Sequence, residues 1–247
     1  MMEPVRFWAV VPAAGVGRRV GAPIPKQYLP LFGQAVLDHS LEVLLGESRI
    51  EGVVVAVDPH DQRWSTTRYA AHPKVRKVAG GAERCHSVLN ALALLTQTAA
   101  AEDWVLVHDA ARPCLRQTDL AAMIDTLRAD PVGGILAVPV CDTMKQADRQ
   151  GCIARTVVRD GLWHAFTPQM FRLGPLREAL ARALADGYLV TDEASGLEYI
   201  GQTPRLVEGH ADNIKITRPE DLPLAEFYLR QQGRTCESDK VSMHTDS

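Results

Sequence analysis

The fold is decided by one stretch near the N-terminus, Phe7-Trp8-Ala9-Val10-Val11-Pro12-Ala13-Ala14-Gly15-Val16-Gly17-Arg18-Arg19. Its first half is a continuous apolar run, which is typical of a strand covered on both faces of a sheet. Its second half is built from small residues, and glycine leaves backbone N–H groups uncovered, so that they can bind an anion. Arg18, Arg19 and Lys26 add positive charge close by. The stretch predicts a buried strand followed by a phosphate-binding loop, although a tight turn with solvated basic side chains has the same composition.

Two common phosphate-binding motifs do not match this loop. The dinucleotide fingerprint requires a third glycine three positions after the second, and that position holds Val20. The P-loop ends in Gly-Lys-Ser/Thr, whereas Lys26 lies between Pro25 and Gln27. These mismatches disfavour a hydride-transfer enzyme and an ordinary P-loop ATPase.

Strand and helix patterns alternate along the first half of the chain. The predicted strands are residues 6–14, 53–57, 75–78, 104–107 and 134–138. The predicted helices are residues 34–45, 62–70 (a weaker pattern), 83–99 and 118–128. This alternation predicts an α/β, Rossmann-like fold, with a mostly parallel twisted sheet and helices on both faces. Ligands of such sheets bind beyond the carboxyl ends of the strands, which is where we expect the loop after Ala14, the Gly80-Gly81 pair and Asp109.

The middle of the chain breaks this alternation. Residues 143–147 and 153–158 are short and strand-like, and Asp148-Arg149-Gln150-Gly151 between them is turn material. They predict a projecting β-hairpin arm over about residues 141–160. An isolated hairpin is marginally stable in water, so the arm is expected to pack on a partner subunit or, more simply, on its own domain.

The C-terminal part completes a single predicted domain, residues 1–230. Two helices (175–185 and 191–200) and two strands (205–207 and 212–217) are followed by a last helix to about Leu229. Thr217 and Glu220 match a capping box at the start of that helix. Residues 231–247 are polar and without apolar periodicity, which predicts a disordered tail.

Composition excludes several classes of protein. The chain has 247 residues, 46% of them hydrophobic, and a net charge of −3, so no basic excess points to nucleic acid. No segment reaches the roughly 18 apolar residues of a membrane span. The five cysteines include no C-x-x-C pair, which disfavours a zinc site or a disulfide framework and favours a reducing cytoplasm.

Nucleotide chemistry requires cations for phosphate oxygens and a carboxylate for a divalent metal. Arg19, Lys26 and Lys215 are the candidate cations, and Asp109, after a buried strand, is the candidate Mg²⁺ ligand. Asp212 is a second carboxylate near Lys215, with a strand-end hydrogen bond or a salt bridge as an equally good interpretation. Asp109 also has a purely structural interpretation, in which its side chain caps the turn that follows it.

A base pocket is the other requirement of nucleotide chemistry. Gly80, Gly81 and Ser87 are the candidates, against the simpler interpretation of a glycine turn and a polar residue on an amphipathic helix. His108 is assigned a structural role, because a phosphate nucleophile carries no proton that has to be removed.

Seven segments, taken together, resemble a known family. They are PAAGVGRR (12–19), PKQYL (25–29), VHDAARP (107–113), DTMK (142–145), TPQ (167–169), TDEA (191–194) and DNIK (212–215). In this order they resemble the 2-C-methyl-D-erythritol 4-phosphate cytidylyltransferases of the non-mevalonate isoprenoid pathway. The resemblance extends from about Phe7 to Leu229.

The resemblance implies a reaction and two substrates. CTP and the sugar-alcohol phosphate 2-C-methyl-D-erythritol 4-phosphate would give 4-diphosphocytidyl-2-C-methyl-D-erythritol and pyrophosphate, with Mg²⁺ or another divalent cation. The substrate phosphate would attack the α-phosphorus of CTP in line. A homodimer through the hairpin arm, with no nucleic acid or membrane as partner, is implied as well.

The resemblance also implies a role for each candidate residue. The catalytic cations would be Arg19, Lys26 and Lys215. The nucleotide would be bound by Pro12, Ala13, Ala14, Gly15, Gly17, Gly80, Gly81 and Ser87. The sugar phosphate would be bound by Asp109, Arg112 and Asp212, together with Thr143 and Arg159 reaching over from the partner subunit. Asp109 would in addition organise the metal.

One departure and two alternatives remain. An aspartate often follows the glycine pair in the family, and Ala82 takes its place here, so backbone groups would have to contribute more to cytosine recognition. A cytidylyltransferase for another polyol phosphate, such as ribitol 5-phosphate, would share the nucleotide half. A non-catalytic nucleotide-binding module is a third interpretation, which the full set of cations disfavours.

Overall fold

The computed structural model describes residues 5–15 and 24–234, and these form one seven-stranded sheet with helices on both faces. The strands are β1 (Phe7–Ala13), β2 (Pro30–Leu31), β3 (Gln34–Ala35), β4 (Ile50–Val57), β5 (Val75–Ala79), β6 (Trp104–Val107), β7 (Gly133–Pro139), β8 (Met144–Ala147), β9 (Ile153–Val157), β10 (Trp163–Arg172) and β11 (Arg205–Glu208). The α-helices are α1 (Val36–Gly46), α2 (Arg84–Leu95), α3 (Gln117–Leu127), α4 (Leu173–Ala185), α5 (Glu193–Tyr199) and α6 (Asp221–Gln231). Two 3₁₀ turns cover Lys26–Tyr28 and Trp64–Thr66.

The main sheet has the strand order β11-β7-β10-β6-β1-β4-β5. Strands β6, β1, β4 and β5 are mutually parallel, and β11 is parallel to β7. Strand β10 lies between β7 and β6 and is antiparallel to both. The predicted α/β fold with a mostly parallel sheet is confirmed, with one antiparallel strand inserted near its centre.

Strand β1 is covered on both faces, as its apolar run predicts. Ala9 and Val11 face a core with α1 and α3, while Val10 faces a second core with α2 and α4. All three side chains are completely buried. Strand β1 ends at Ala13, and the residues that follow it lie at the carboxyl end of the sheet, where ligands of such folds bind.

Strand β10 is the element that the sequence does not reveal. Pro168 lies within it, and a proline normally argues against a central strand because it cannot donate to the ladder. The structure accommodates it through an irregular register between Ala165 and Gln169 in the pairing with β7. The ladder with β7 resumes at Gln169, opposite Ile135, and Gln169 also pairs with Val107 of β6.

Two predictions near the end of the chain are wrong. Residues 212–217 form a loop rather than a strand: the Ile216 N–H donates to the Ala111 carbonyl (2.8 Å), but no ladder of backbone hydrogen bonds joins this segment to a strand within the described part of the chain. Helix α6 begins at Asp221, and its cap is not the predicted box. The Asp221 carboxylate instead accepts from the Thr217 N–H (2.7 Å) and the Arg218 N–H (2.8 Å).

Two further boundaries differ from the prediction. The weak helix over 62–70 is only the short 3₁₀ turn at Trp64–Thr66. The ordered chain extends beyond residue 230, because Gln232 donates to the Cys114 carbonyl (2.8 Å) and Arg234 to the Pro113 carbonyl (3.1 Å). The remaining part of the predicted tail, residues 235–247, lies outside the described residues.

The predicted hairpin is present as the antiparallel pair β8 and β9, with Met144 opposite Val157. Two apolar residues of the arm are exposed, Ile153 at 68% and Val158 at 75% of their full accessibility, whereas Met144 and Val157 are half-buried. No helix within the described part of the chain has both the length and the apolar character needed to cross a membrane.

Asp103 joins the starts of β1 and β6 and supports a stability prediction. Its buried carboxylate accepts from the Arg6 N–H (3.0 Å), the Trp8 Nε1–H (3.1 Å) and the Ala100 N–H (3.0 Å). We expect Asp103→Ala to lower the free energy of unfolding by about 2–4 kcal/mol, since three donors lose their acceptor. Urea unfolding measures this.

The neighbouring exposed Glu102 gives the control for Asp103. Glu102→Ala removes a carboxylate one position away and is expected to change the free energy of unfolding by less than about 0.5 kcal/mol. Equal effects of the two substitutions would contradict the assigned role of Asp103.

Candidate active site

A cavity of about 320 Å³ opens at the carboxyl ends of β1, β5 and β6. Nine of the predicted site residues line it: Pro12, Ala13, Ala14, Gly15, Lys26, Gly81, Ser87, Asp109 and Lys215. The predicted residues Gly17 and Arg19 lie outside the described part of the chain. The sheet edge therefore brings together residues that are up to two hundred positions apart, because parallel strands end on the same side.

Gln27 holds the phosphate-loop candidate against the sheet. Its buried side-chain amide donates to the Ala13 carbonyl (2.7 Å) and to the Gly15 carbonyl (3.1 Å). With these two carbonyls bound, the start of the loop has a defined path at the end of β1. The sequence contains Gln27 within a resembling motif, but no pattern assigned it this role.

The Gly80-Gly81 turn forms the opposite wall. A Cβ atom on Gly80 would lie 2.2 Å from the Cβ of Ala14, and one on Gly81 would lie 2.3 Å from the Cβ of His86. Both positions require glycine because of these close approaches. The Ser87 hydroxyl accepts from the Gly81 N–H (3.0 Å) and donates to the Glu83 carbonyl (3.2 Å), so this side chain shapes the turn from within the cavity wall.

Lys26 and Lys215 reach the cavity from two separate loops that are joined to each other. The Lys26 ammonium donates to the carbonyl of Ile216, 3.0 Å away. Ile216 is completely buried in a cluster that includes Ala225 and Leu229 of α6. Helix α6 thereby anchors the loop that carries Lys215. The hydrogen bond from Lys26 joins this loop to the 3₁₀ turn at Lys26–Tyr28.

Four charged side chains form a continuous chain of ion pairs along the cavity. The Lys215 ammonium lies 2.7 Å from Oδ2 of Asp109. Arg84 donates from Nε to Oδ1 of Asp109 (2.9 Å), and from Nη1 and Nη2 to the two carboxylate oxygens of Glu193 (2.6 and 2.9 Å). Sequence reasoning assigned no role to Arg84 or Glu193, although Arg84 follows the Gly80-Gly81 pair closely and Glu193 lies within the TDEA segment (191–194).

These contacts determine the charge state of Asp109. Burial alone would raise the pKa of its carboxyl, but the positive charges of Arg84, Lys215 and Arg112 outweigh burial and hold that pKa well below its usual range. Burial would lower the pKa of Arg84, and the carboxylates of Glu193 and Asp109 more than compensate and raise it. Asp109 and Arg84 are therefore both charged at any ordinary pH.

The same contacts fit poorly with a metal ion at Asp109. Each of its carboxylate oxygens already has a cationic partner, so a metal ligand role would require Lys215 or Arg84 to move away. Among the residues that the structure describes, no group of three or more His, Cys, Asp or Glu side chains is arranged to hold a metal ion.

A second cavity of about 200 Å³ adjoins the first and shares Arg84, Asp109 and Lys215 with it. Arg112 lines this second cavity, where its guanidinium lies over the Phe166 ring (4.8 Å to the ring centre) and donates to the Asn213 carbonyl (2.7 Å). Two cavities that meet at shared charged residues can hold two anionic molecules with their reacting groups adjacent.

His108 is structural, as predicted. It is completely buried, and its Nε2 lies 3.0 Å from the Arg112 carbonyl, which can only accept, so Nε2 carries the proton. Nδ1 then accepts from the Thr167 hydroxyl (3.0 Å), which in turn accepts from the Asp109 N–H (3.0 Å). Burial lowers the pKa of His108 to about 4, so the ring is neutral, and it supports the Asp109 backbone through the Thr167 hydroxyl.

Three predicted substrate residues lie away from both cavities in this chain. Asp212 does not line either cavity, and its carboxylate is bound by Arg116 (2.7 Å) and the Gln232 amide (3.1 Å). Thr143 and Arg159 belong to the hairpin arm, where the Arg159 guanidinium donates to the Cys141 carbonyl. Their predicted roles at a partner's site stay predictions.

Comparison with known proteins gives consistent matches. The family model described as IspD, 2-C-methyl-D-erythritol 4-phosphate cytidylyltransferase, matches residues 7–231. A relative of that name from Pseudomonas putida (strain GB-1) is 56% identical over 227 residues, which cover 92% of this chain and 95% of the relative.

Solved structures match over the same length. The chain is similar, with a TM-score of 0.81 and 39% identity, to a crystal structure of a 4-diphosphocytidyl-2C-methyl-D-erythritol synthase; the match covers 92% of this chain and 99% of that one. It is also similar to the cytidylyltransferase of Francisella tularensis, with a TM-score of 0.80 and 36% identity over 91% of this chain and 100% of that one. The fold, the cavity residues and these matches agree, and the chain belongs to the 2-C-methyl-D-erythritol 4-phosphate cytidylyltransferase family.

Proposed function

We propose that this protein transfers the cytidylyl group of CTP to 2-C-methyl-D-erythritol 4-phosphate, giving 4-diphosphocytidyl-2-C-methyl-D-erythritol and pyrophosphate in isoprenoid precursor biosynthesis. The observation that carries the proposal is the junction of two cavities at Lys215 and Asp109. The larger cavity, between the glycine turn and the loop after β1, takes CTP, and the smaller one takes the sugar phosphate.

The reaction is an in-line displacement at the α-phosphorus of CTP. A phosphate oxygen of the sugar phosphate forms the new P–O bond, while the bond to the oxygen bridging the α- and β-phosphorus breaks and pyrophosphate leaves. The nucleophile is already an anion, so no general base is needed. The requirement is stabilisation of negative charge, for which Lys26, Lys215 and the predicted Arg19 are assigned.

Magnesium is proposed as a partner of CTP rather than of Asp109. Magnesium ions combine few protein carboxylates with substrate phosphates, and the carboxylate of Asp109 is already paired with Arg84 and Lys215. A divalent cation bound by the triphosphate would supply further charge neutralisation. Asp109 instead holds Lys215 and the backbone at the acceptor side.

A cytoplasmic homodimer is also proposed. The arm over about residues 141–160 presents exposed Ile153 and Val158, and within the described part of the chain its two strands pack chiefly on each other. These side chains suit burial against a second copy, and Thr143 and Arg159 would then reach the partner's sugar phosphate. The four cysteines in the described part of the chain are free thiols, which supports a reducing compartment.

An assay of pyrophosphate release tests the function directly. CTP with 2-C-methyl-D-erythritol 4-phosphate and Mg²⁺ is expected to release pyrophosphate, whereas ATP, GTP or UTP, or ribitol 5-phosphate as acceptor, is expected to give little. EDTA should abolish the release, because the triphosphate charge is then unscreened. A preference for ribitol 5-phosphate would replace the proposed acceptor, and no release from any pair would indicate a non-catalytic module.

Lys26→Ala tests charge stabilisation. We expect kcat to fall about 10²–10³-fold with the fold intact, because one preorganised cation of the phosphate site is lost. Lys74 is a matched control, since its ammonium also donates to a backbone carbonyl (Ile50, 2.9 Å) but lies away from both cavities. Lys74→Ala should leave kcat unchanged, and near-normal turnover of Lys26→Ala would rule out its assignment.

Arg159→Ala tests the hairpin arm. We expect a raised KM for the sugar phosphate and an unchanged KM for CTP, since Arg159 is assigned to the acceptor of the partner subunit. Arg149, an exposed residue in the turn of the same hairpin, is the control. At a sugar phosphate concentration far below the raised KM, an equal mixture of re-associated Arg159→Ala and Lys26→Ala chains should recover about a quarter of wild-type activity, because half of the dimers then contain one intact site of two. No recovery in demonstrably mixed dimers would contradict an arm that acts in trans.

A further inference from the structure

Glu193 is a buried carboxylate that lies just outside both cavities. It is the first residue of α5, it is 1% exposed, and it lines neither cavity. Both of its oxygens are bound by one guanidinium, that of Arg84, at 2.6 and 2.9 Å. A buried charge of this kind is costly unless it is fully paired, so the pair with Arg84 explains why Glu193 is tolerated there.

The planar guanidinium transmits this contact to the cavity. With Nη1 and Nη2 of Arg84 bound by Glu193, the direction of its Nε–H is determined, and that group donates to Oδ1 of Asp109 (2.9 Å). Oδ2 of Asp109 is then left facing Lys215 at 2.7 Å. Arg84, Asp109 and Lys215 are the three charged residues common to both cavities.

We propose that Glu193 is a positioning residue of the transfer reaction, which acts through Arg84 to orient Asp109 and Lys215 where the two cavities meet. The inference rests on the proposed cytidylyl transfer. Lysine has a flexible side chain with a strongly hydrated ammonium, so its position at the reacting phosphates depends on what holds it. Lys215 is held by Asp109, Asp109 by Arg84, and Arg84 by Glu193, which itself lines neither cavity.

A purely structural role for Glu193 is the competing explanation, and α5 has its own anchors against it. The Asp192 carboxylate caps the helix by accepting from the Ser195 N–H (2.9 Å), and the Ala194 N–H donates to the buried Gln169 side chain (2.9 Å). Leu197 is buried in the core shared with α2 and α4. These contacts remain when the charge of Glu193 is removed.

The test begins with Glu193→Gln in the pyrophosphate assay. We expect kcat to fall about 10- to 100-fold, the effect of a small misplacement of catalytic groups. Glu193→Asp retains the charge on a side chain one methylene shorter and should give an intermediate kcat. The matched control is Glu47→Gln, because Glu47 also binds one guanidinium with both oxygens (Arg49, 2.7 and 2.9 Å) but lies far from both cavities. It should retain wild-type kcat.

A double-mutant cycle with Arg84→Met separates positioning from stability. If Glu193 acts only through Arg84, adding Glu193→Gln to Arg84→Met should change kcat less than twofold, since the intermediary is already gone. A further 10-fold loss in that background would overturn the inference, and so would a wild-type kcat for Glu193→Gln alone. Should Glu193→Gln fail to fold, the same cycle is run with Glu193→Asp.

Labelling of Lys215 by an amine-reactive reagent gives a readout that needs no turnover. Loss of Glu193 should loosen the Asp109–Lys215 pair and raise the labelling rate of Lys215, measured on its peptide by mass spectrometry, whereas Glu47→Gln should not. An unchanged rate in a folded Glu193→Gln protein would overturn the inference. If the wild-type protein releases no pyrophosphate, the proposed function fails, and the labelling result still decides whether Glu193 positions Lys215.

Discussion

The Asp109 carboxylate is 7% exposed at the end of a fully buried strand, and compensation of its charge organises the whole site. A buried anion is tolerated only when it is paired and hydrogen-bonded. The three cations that do this come from α2 (Arg84), from the turn after β6 (Arg112) and from the loop before α6 (Lys215). One unfavourable burial thereby draws three distant parts of the chain together and places their positive charge where phosphates would bind.

The sheet makes this arrangement possible. Strand β1 is buried on both faces, and its parallel neighbours end at the same side of the sheet, so that residues of the loops after these strands line the larger cavity. The glycines at 80 and 81 serve the same purpose, since a Cβ atom at either would collide with the opposite wall or the following helix. Antiparallel β10 adds Thr167, whose hydroxyl binds the Asp109 N–H, and so joins the larger cavity to the second one.

Much of this could be predicted, for identifiable reasons. The unbroken apolar run of β1 indicated burial on both faces, and the parallel strands that precede Ala14 and Asp109 had to end on the same side of the sheet. The predictions failed where the same local sequence pattern is compatible with two different backbone structures. Residues 212–217 alternate like a strand, but the burial of Ile216 under α6 provides the same alternation in a loop. Strand β10 was hidden by Pro168, whose missing donor is accommodated by an irregular register.

By itself, the sequence determined the class of fold and the family, because these depend on hydrophobic periodicity and on short motifs. Only the tertiary structure decided how the charges pair. Asp109 was predicted as a metal ligand, and the fold pairs it with Arg84 and Lys215; Asp212 was predicted at the substrate, and the fold pairs it with Arg116; both predicted roles stay predictions. Arg84 and Glu193 are separated by 109 positions in the chain. The strength of an ion pair depends on the distance between the two charges in space, and the order of residues along the chain does not give that distance.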